Sequence, residues 1–181
     1  MDNLPDEMLM LRITSGDAAA FACLVRRHTD RFYRAAYRVV LNREDAEDIV
    51  QEAFCKLWNG KARWKEDKGA QFTTWFYRIV MNQSLDHVSS RGRRREGALP
   101  ETLASATPSA EQQLMADAAG DELADAMANL PERQRVAVTL FYLEELSQRE
   151  TADIMDITPK AVESLLGRAK QFLRERMQVY A

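Results

Sequence analysis

The sequence has few of the residues on which most enzymes and secreted proteins depend. Its 181 residues include two cysteines and two histidines. No metal-ligand spacing, phosphate-binding loop or nucleophile–base set occurs, so an enzyme is the least expected class, and we expect neither a metal nor a cofactor. With so few thiols and no CxxC pattern, Cys23 and Cys55 are expected to be buried and reduced.

Long apolar runs are also missing. No stretch reaches the about 18 apolar residues that indicate a membrane span. The first residues are acidic and lack the apolar segment of a signal peptide. These absences predict a cytoplasmic protein that makes no contact with a membrane.

The formal net charge of −3 hides an uneven distribution. Residues 97–130 contain six acids and no lysine or arginine, whereas four arginines (Arg91, Arg93, Arg94, Arg95) stand just before that stretch. Because local rather than total charge governs phosphate binding, a nucleic-acid partner stays compatible with the acidic total. We also hypothesise that the acids between Glu101 and Asp125 repel DNA in the free protein.

Hydrophobic periodicity is helical throughout and no strand pattern occurs, which predicts an all-α fold. Helices are expected over 6–13, from 18 to a stop at Asn42, over 44–58, and over 72–88, with a polar loop at 64–70. Residues 89–110 are rich in Arg, Gly, Pro and Ser and predict a linker. Ser109 and Gln112 then suit the start of a helix over 110–129, and Pro131 starts another.

This organisation predicts two small helical domains joined by a flexible linker. The first covers residues 1–90, the linker covers 91–110, and the second covers 111–181. Within the second domain, residues 146–174 have the pattern of a helix-turn-helix.

The signals for the helix-turn-helix are local. Ser147 and Glu150 have the spacing of a capping box that opens a short helix over 148–155. After a turn at Asp156, Thr158 and Pro159 restart the chain as a second helix. That helix has one apolar stripe and several bases, the geometry that enters a major groove. Two short amphipathic helices joined by a turn are also common in helical proteins without any DNA role.

Two segments of the first domain carry side chains that core packing alone does not explain. On the helix near residue 50, Asp48, Gln51 and Glu52 share a polar face, which is either merely solvated or a docking face for a basic partner. On the helix over 72–88, the aromatics are denser than one face can bury, and exposed aromatics beside arginines suit the stacking of unpaired bases. Asn82 and Asp86 share one face of that helix. For Trp75, Phe76 and Ile79 we favour the simpler interpretation that most of each side chain is core.

Taken in order, these segments resemble the motifs of the bacterial sigma-70 family, in its smallest two-domain form, the extracytoplasmic-function (ECF, group IV) sigma factors. Residues 45–58 resemble the helix that binds the polymerase clamp. Residues 72–86 resemble the helix that reads and melts the minus-ten element. Residues 130–135 and 146–174 resemble the domain that reads the minus-thirty-five element. The resemblance covers nearly the whole chain.

The resemblance implies a promoter-specificity subunit that makes and breaks no bond itself. Its implied partners are core RNA polymerase, through the β′ clamp and the β flap, promoter DNA, and an anti-sigma factor. The polymerase-binding residues are then expected to be Asp45, Asp48, Gln51, Glu52, Phe54 and Trp58. The minus-ten residues are expected to be Arg63, Lys65, Lys68, Trp75, Arg78, Asn82, Asp86, Arg91, Arg93 and Arg94. The minus-thirty-five residues are expected to be Ser147, Gln148, Arg149, Thr158, Lys160, Ser164, Arg168 and Lys170.

The chain departs from the family pattern at three positions. Glu163 and Leu165 stand where many relatives carry basic residues, and Asp156 occupies a turn position often held by glycine. These differences affect which bases are read. The alternatives are a stand-alone helix-turn-helix regulator, which would leave the first domain's surfaces without a role, and a sigma-like protein that titrates a partner.

Overall fold

The computed structural model describes residues 3–60, 71–96 and 125–178, and all regular structure in these ranges is helical. The prediction of an all-α fold is confirmed. None of the described helices is both long and apolar enough to cross a membrane. The first module consists of α1 (Asp6–Thr14), α2 (Ala18–Val40), α3 (Arg43–Trp58) and α4 (Phe72–Glu96).

The second module begins, within the described ranges, with helical residues 125–128. It continues with α5 (Glu132–Val138), a π-helical stretch (Thr139–Leu143), α6 (Gln148–Met155) and α7 (Pro159–Gln178). The predicted limits of the short first helix of the helix-turn-helix, 148–155, agree with α6. The predicted start of a helix at Ser109 lies outside the described residues.

The junction between α2 and α3 corrects one prediction. Asn42 does not end the long helix; α2 ends at Val40, and Leu41 adopts the left-handed conformation with φ 57°. The side-chain oxygen of Asn42 instead accepts a hydrogen bond from the Asp45 backbone N–H at 3.0 Å and caps α3. Asparagine suits both roles, and only the backbone geometry distinguishes them.

Helix α4 is longer than predicted. It continues to Glu96, although the sequence prediction ended it at Val88 and began the linker before residue 91. The Arg91 guanidinium donates a hydrogen bond to Asp45 on α3 at 2.9 Å, which anchors this extension to the module. Residues 97–110, which make up the rest of the predicted linker, lie outside the described ranges.

A cluster of aromatic rings forms the centre of the first module. Phe76 of α4 lies 4.6 Å from both Phe32 of α2 and Phe54 of α3, measured between ring centroids, and all three side chains are buried. Such ring pairs stabilise a core beyond the area they bury. Cys23 is buried as predicted, whereas the prediction that Cys55 is buried is wrong: its thiol is exposed on α3, and neither cysteine is part of a disulfide.

The two modules pack directly against each other. The buried side chain of Arg135 on α5 donates to the carbonyl oxygen of Val39, in the last turn of α2, at 2.7 Å. It also donates to the carbonyl oxygens of Ala128 and Leu130, at 3.0 and 3.2 Å. Carbonyls in the last turn of a helix lack intrahelical partners, so Arg135 supplies donors where the backbone has none. Burial lowers the pKa of Arg135, but an arginine remains charged in proteins.

Helix α1 is held to α2 through Asp6. Its carboxylate accepts a hydrogen bond from Nε2 of His28 at 2.7 Å and another from the guanidinium of Arg27. Burial by itself would raise the pKa of Asp6, but the His28 and Arg27 contacts outweigh it and hold the pKa below 3.8.

Replacing Arg135 is expected to destabilise the protein. In Arg135→Met three carbonyl oxygens are deprived of a charged donor, which should lower the free energy of unfolding by about 2–3 kcal/mol. Arg133→Met is the matched control, because Arg133 is exposed and exposed substitutions usually change stability by less than about 0.5 kcal/mol. Urea unfolding followed by circular dichroism measures both. Equal stability of the two variants would contradict the role assigned to Arg135.

The Asp6 contacts should make stability depend on pH. We expect Asp6→Asn to lower the free energy of unfolding by about 1–2 kcal/mol at neutral pH. Because folding lowers the pKa of this carboxyl, its contribution is present above the unfolded value near 3.8 and disappears as the pH falls through the lower folded value. The gap between wild type and variant should therefore close in acid. Glu7→Gln, the neighbouring acid, is the control; a gap that persists at low pH would count against this assignment.

Candidate nucleic-acid and polymerase interfaces

Helix α3 presents an acidic face to solvent. Asp48, Gln51 and Glu52 are all exposed, because the apolar residues of α3 face the core on the opposite side. Asp48 makes no ion pair with any residue that the structure describes. Glu52 pairs with Lys56 at 2.9 Å, one turn along the same helix, and exposed pairs of this kind contribute little. The carboxylates are therefore available to a partner.

The other three residues predicted to bind polymerase differ in position. Phe54 is only 5% exposed and packs among the core aromatics, so it lies behind the acidic face instead of on it. Asp45 is half-buried and accepts a hydrogen bond from Arg91 at 2.9 Å, and Nε2 of His87 lies 3.0 Å from the same carboxylate, so both contacts tie α3 to α4. Trp58 is 41% exposed at the end of α3, with its ring 4.9 Å from that of Phe21.

An apolar cleft beside the acidic face was not predicted from the sequence. It lies between α2 and α3 and has a volume of about 380 Å³. Its walls include Phe21, Val25 and Tyr33 of α2, with Val50 and Cys55 of α3. The spacing of Phe21, Val25 and Tyr33, in multiples of four, was a signal for a shared face. That this face would be only partly covered was not visible in the sequence.

Helix α4 carries a row of polar side chains on its outer face. Arg78, Asn82 and Asp86 follow one another at four-residue intervals and are all exposed; we call them the polar row. The prediction that some aromatics of this helix would reach the surface holds only in part, through Trp75. Phe72, Phe76 and Tyr77 are buried, because three helices meet at this point. Trp75 is half-buried and therefore offers only part of its ring.

The remaining residues predicted for the minus-ten element are only partly described. Arg91 is exposed, and its guanidinium pairs with Asp45. Arg93 and Arg94 belong to α4, but their side chains lie outside the described part. Arg63, Lys65 and Lys68 fall in 61–70, which is also outside it.

The helix-turn-helix is built as the sequence predicted. Ser147 and Glu150 form a reciprocal capping box, and Asp156 takes the left-handed conformation at the turn with φ 53°. The Ser147 hydroxyl and backbone N–H lower the pKa of Glu150. Seven of the eight residues predicted for the minus-thirty-five element are exposed: Ser147, Arg149, Thr158, Lys160, Ser164, Arg168 and Lys170. The eighth, Gln148, is half-buried and donates to the carbonyl oxygen of Pro159 at 2.8 Å, which joins α6 to α7.

A carboxylate of the second module is buried against the first. Glu144 follows the π-helical stretch, and its side chain is 7% exposed. It accepts from Arg31 Nε and from Arg38, both at 3.1 Å, and from the Tyr77 hydroxyl. Burial raises the pKa of Tyr77, and the Glu144 carboxylate raises it further. Nothing in the sequence indicated this contact, because the nearest partner along the chain, Tyr77, is 67 positions away.

Two weaker contacts lie nearby between the modules. Arg78 on α4 lies 3.6 Å from Asp156 at the turn of the helix-turn-helix, and both side chains are mostly exposed. The Thr74 hydroxyl donates to Glu150 at 3.4 Å. Helix α6 therefore lies across the first half of α4 and covers part of its outer face.

Family models match both modules. The model described as Sigma-70 region 2 matches residues 24–94, and the model described as Sigma-70, region 4 matches residues 120–173. Among curated relatives, the ECF RNA polymerase sigma-E factor of Haemophilus influenzae is 30% identical over 98% of this chain and 97% of its own length. The ECF sigma factor SigW of Bacillus subtilis is 28% identical over 92% of this chain and 94% of its own.

Another relative is longer than this chain. The ECF sigma factor SigE of Mycolicibacterium smegmatis is 36% identical over 89% of this chain, which spans 64% of that relative's length. Among solved structures, CnrH in complex with the cytosolic domain of CnrY superposes with a TM-score of 0.71 at 25% identity, covering 97% of this chain and 99% of CnrH. The sigma factor RpoE of Bartonella quintana, solved with the anti-sigma factor NepR, shares the fold with a TM-score of 0.66 at 22% identity, covering 86% of this chain and 94% of RpoE.

Proposed function

This chain belongs to the sigma-70 family in its ECF form and directs RNA polymerase to promoters, and we propose that it does so through three separate surfaces. The acidic face of α3 binds core polymerase at the β′ clamp. The polar row on α4 reads the minus-ten element and captures bases as the duplex opens. The helix-turn-helix reads the minus-thirty-five element. The chemistry belongs to polymerase, and we place the protein in the cytoplasm with it.

The observation that supports this proposal most strongly is the exposure of the α3 carboxylates. Asp48 and Glu52 face solvent with no buried partner, one turn apart on a helix whose other side is core. An acidic surface complementary to a basic partner raises the association rate and fixes the binding register. The apolar cleft between α2 and α3 adjoins this face, so a partner helix would meet both charge and apolar surface.

The base-reading role rests on the polar row of α4. The side chain of asparagine both donates and accepts, so Asn82 suits the edge of an extruded base. Arg78, one turn earlier, suits a backbone phosphate. Opening a base pair costs a few kcal/mol of unstacking, which contacts of this kind offset.

The packing of the modules requires that they separate. The minus-ten and minus-thirty-five elements are named for distances from the start site that differ by about 25 base pairs, which is roughly 85 Å of duplex at about 3.4 Å per base pair. In this structure α6 contacts α4 directly. One protein molecule cannot contact both elements in this closed arrangement, so we propose that it opens when it binds polymerase.

We also propose control by an anti-sigma factor. The CnrH structure holds the cytosolic domain of CnrY, and the Bartonella structure holds an anti-sigma factor. A partner that stabilises the closed arrangement or covers the α3 face would keep this chain from polymerase.

Reversing the charge of Asp48 should weaken binding to polymerase. We expect Asp48→Arg to lower the affinity for core polymerase at least about tenfold, the size expected for a like charge placed in an interface. Thermal stability should not change, because the side chain is exposed. Asp30→Arg, which changes an exposed acid on α2, is the control. Fluorescence anisotropy with labelled protein measures both affinities, and equal affinity for the two variants would rule out this docking face.

Truncating Asn82 should affect promoter melting more than polymerase binding. In Asn82→Ala a base-edge contact worth about 1–3 kcal/mol is removed, so open complexes should fall about tenfold. Potassium permanganate reactivity of unpaired thymines measures melting on a promoter selected by reconstituted transcription from genomic fragments. Asn129→Ala, at an exposed asparagine of the second module, is the control. Normal reactivity with Asn82→Ala would remove Asn82 from this role.

A further inference from the structure

The side chains around the Glu144 carboxylate form a preorganised anion-binding site. The site consists of Arg31 and Arg38, two turns apart on α2, and of Tyr77 on α4; we call it the Arg31 cluster. Both arginines and the phenol direct donors at one carboxylate, which is almost fully removed from solvent. Arg31 Nε also donates to the Tyr77 oxygen at 2.7 Å, so the cluster is itself connected. With two cations for one carboxylate, the site has an excess of positive charge.

The occupant of the Arg31 cluster comes from the other module. The same is true of the two neighbouring contacts, in which Asp156 lies on Arg78 and Glu150 accepts from Thr74. In all three, an acid of the second module meets a cation or a hydroxyl of the first. The second module thus places its acids along one edge of α4.

Separation of the modules would leave the Arg31 cluster without its carboxylate. Two guanidinium groups and a hydroxyl directed at one point would then face water, and an oxyanion that replaces Glu144 can accept all three in charge-assisted hydrogen bonds. The arginine side chain matches the geometry of phosphate as well as that of carboxylate. The cluster also adjoins the polar row of α4, because Tyr77 and Arg78 are consecutive residues.

We propose that the Arg31 cluster binds a backbone phosphate of the melted promoter strand, and that Glu144 occupies this site in the closed protein. This inference rests on the proposed function, since it takes α4 as the helix along which the strand lies. It adds Arg31, Arg38 and Tyr77 to the DNA-binding residues. It also makes the closed arrangement autoinhibitory, because DNA and the second module compete for one site.

The preference for DNA over an acidic protein segment comes from the pattern of contacts. All three acids lie beside α4, along the path assigned to the strand, and none of them contacts the α3 face assigned to polymerase. A phosphate contact of this kind would position the strand and carry no sequence information. A single-stranded DNA of mixed sequence is therefore a sufficient probe.

Removing the Glu144 carboxylate from the Arg31 cluster should raise the affinity of the free full-length protein for DNA. The probe is a fluorescein-labelled single-stranded DNA of random sequence, about 20 nucleotides long and so sufficient for a site of this size. We expect Glu144→Gln to bind it about tenfold more tightly than wild type, within the range of ordinary coupling between sites. Glu145→Gln is the matched control: it removes the same charge one residue away, and Glu145 is exposed and makes no ion pair with the described residues. Small-angle scattering should show a larger radius of gyration for Glu144→Gln alone.

Removing the arginines should reverse that gain. In the Glu144→Gln background, we expect Arg31→Gln with Arg38→Gln to return the affinity to about the wild-type value. In a plot of the logarithm of the DNA association constant against the logarithm of salt concentration, the slope should fall in magnitude by about 0.7 for each phosphate that the protein no longer neutralises. Arg34→Gln is the control, because Arg34 lies between the two on α2 and is exposed. Circular dichroism checks that each variant is folded.

Three outcomes would overturn the inference. The first is unchanged DNA affinity in Glu144→Gln. The second is an equal decrease from Arg34→Gln and from the paired substitution, which would indicate general charge only. The third is that the paired arginine substitution leaves DNA affinity unchanged and weakens the affinity for core polymerase. That result would make the cluster a site for a protein carboxylate. Polymerase binding by the wild-type chain is measured separately, so failure of the proposed function would appear there and not in the DNA measurements.

Discussion

The position of Phe76 against Phe32 and Phe54 determines which side chains of the first module face solvent. The three rings belong to three different helices, and Phe76 lies 4.6 Å from each of the other two. Because this packing fixes the rotation of α3 and α4 about their axes, it also fixes which residues face outward. The acids of α3 and the polar row of α4 are exposed as a consequence of what the opposite faces bury. Packed cores tolerate little change in volume, so the directions of these surfaces are tightly determined.

The contact between the modules has a different character. Its central groups, Arg135 and Glu144, are charged and mostly buried, and each has several hydrogen-bond partners, some from distant parts of the chain. The contacts of Glu144 are ion pairs, and buried ion pairs add little net stability because desolvation offsets much of their attraction. They do penalise any arrangement that leaves one partner alone. An interface of this kind is specific without being strong, which suits the separation of the modules that we propose.

The sequence predicted a structural feature well when the residues that cause it lie within one helical turn, and poorly when they lie on different helices. The capping box at Ser147 and the limits of α6 depend on residues within one turn, and the prediction agreed with the structure there. Helix α4 ran past Val88 because its anchor, the Arg91 contact with Asp45, joins two helices. Asn42 was assigned to the wrong helix because asparagine is common at both kinds of helix end. The burial of Phe72 and Tyr77 depended on three helices meeting, which periodicity along one helix does not report.

Periodicity and short motifs were enough to establish the helical class, the order of the segments and the family. They also specified most of the exposed residues of the helix-turn-helix, since that exposure follows from one apolar stripe. Three features came from tertiary packing alone: α6 lies on α4, an apolar cleft adjoins the α3 acids, and Glu144 fills a site made by Arg31, Arg38 and Tyr77. The physical reason is the long separation along the chain between the residues that make these contacts. Charges and rings separated by tens of residues interact only once packing brings them within a few ångströms, and no local pattern records that distance.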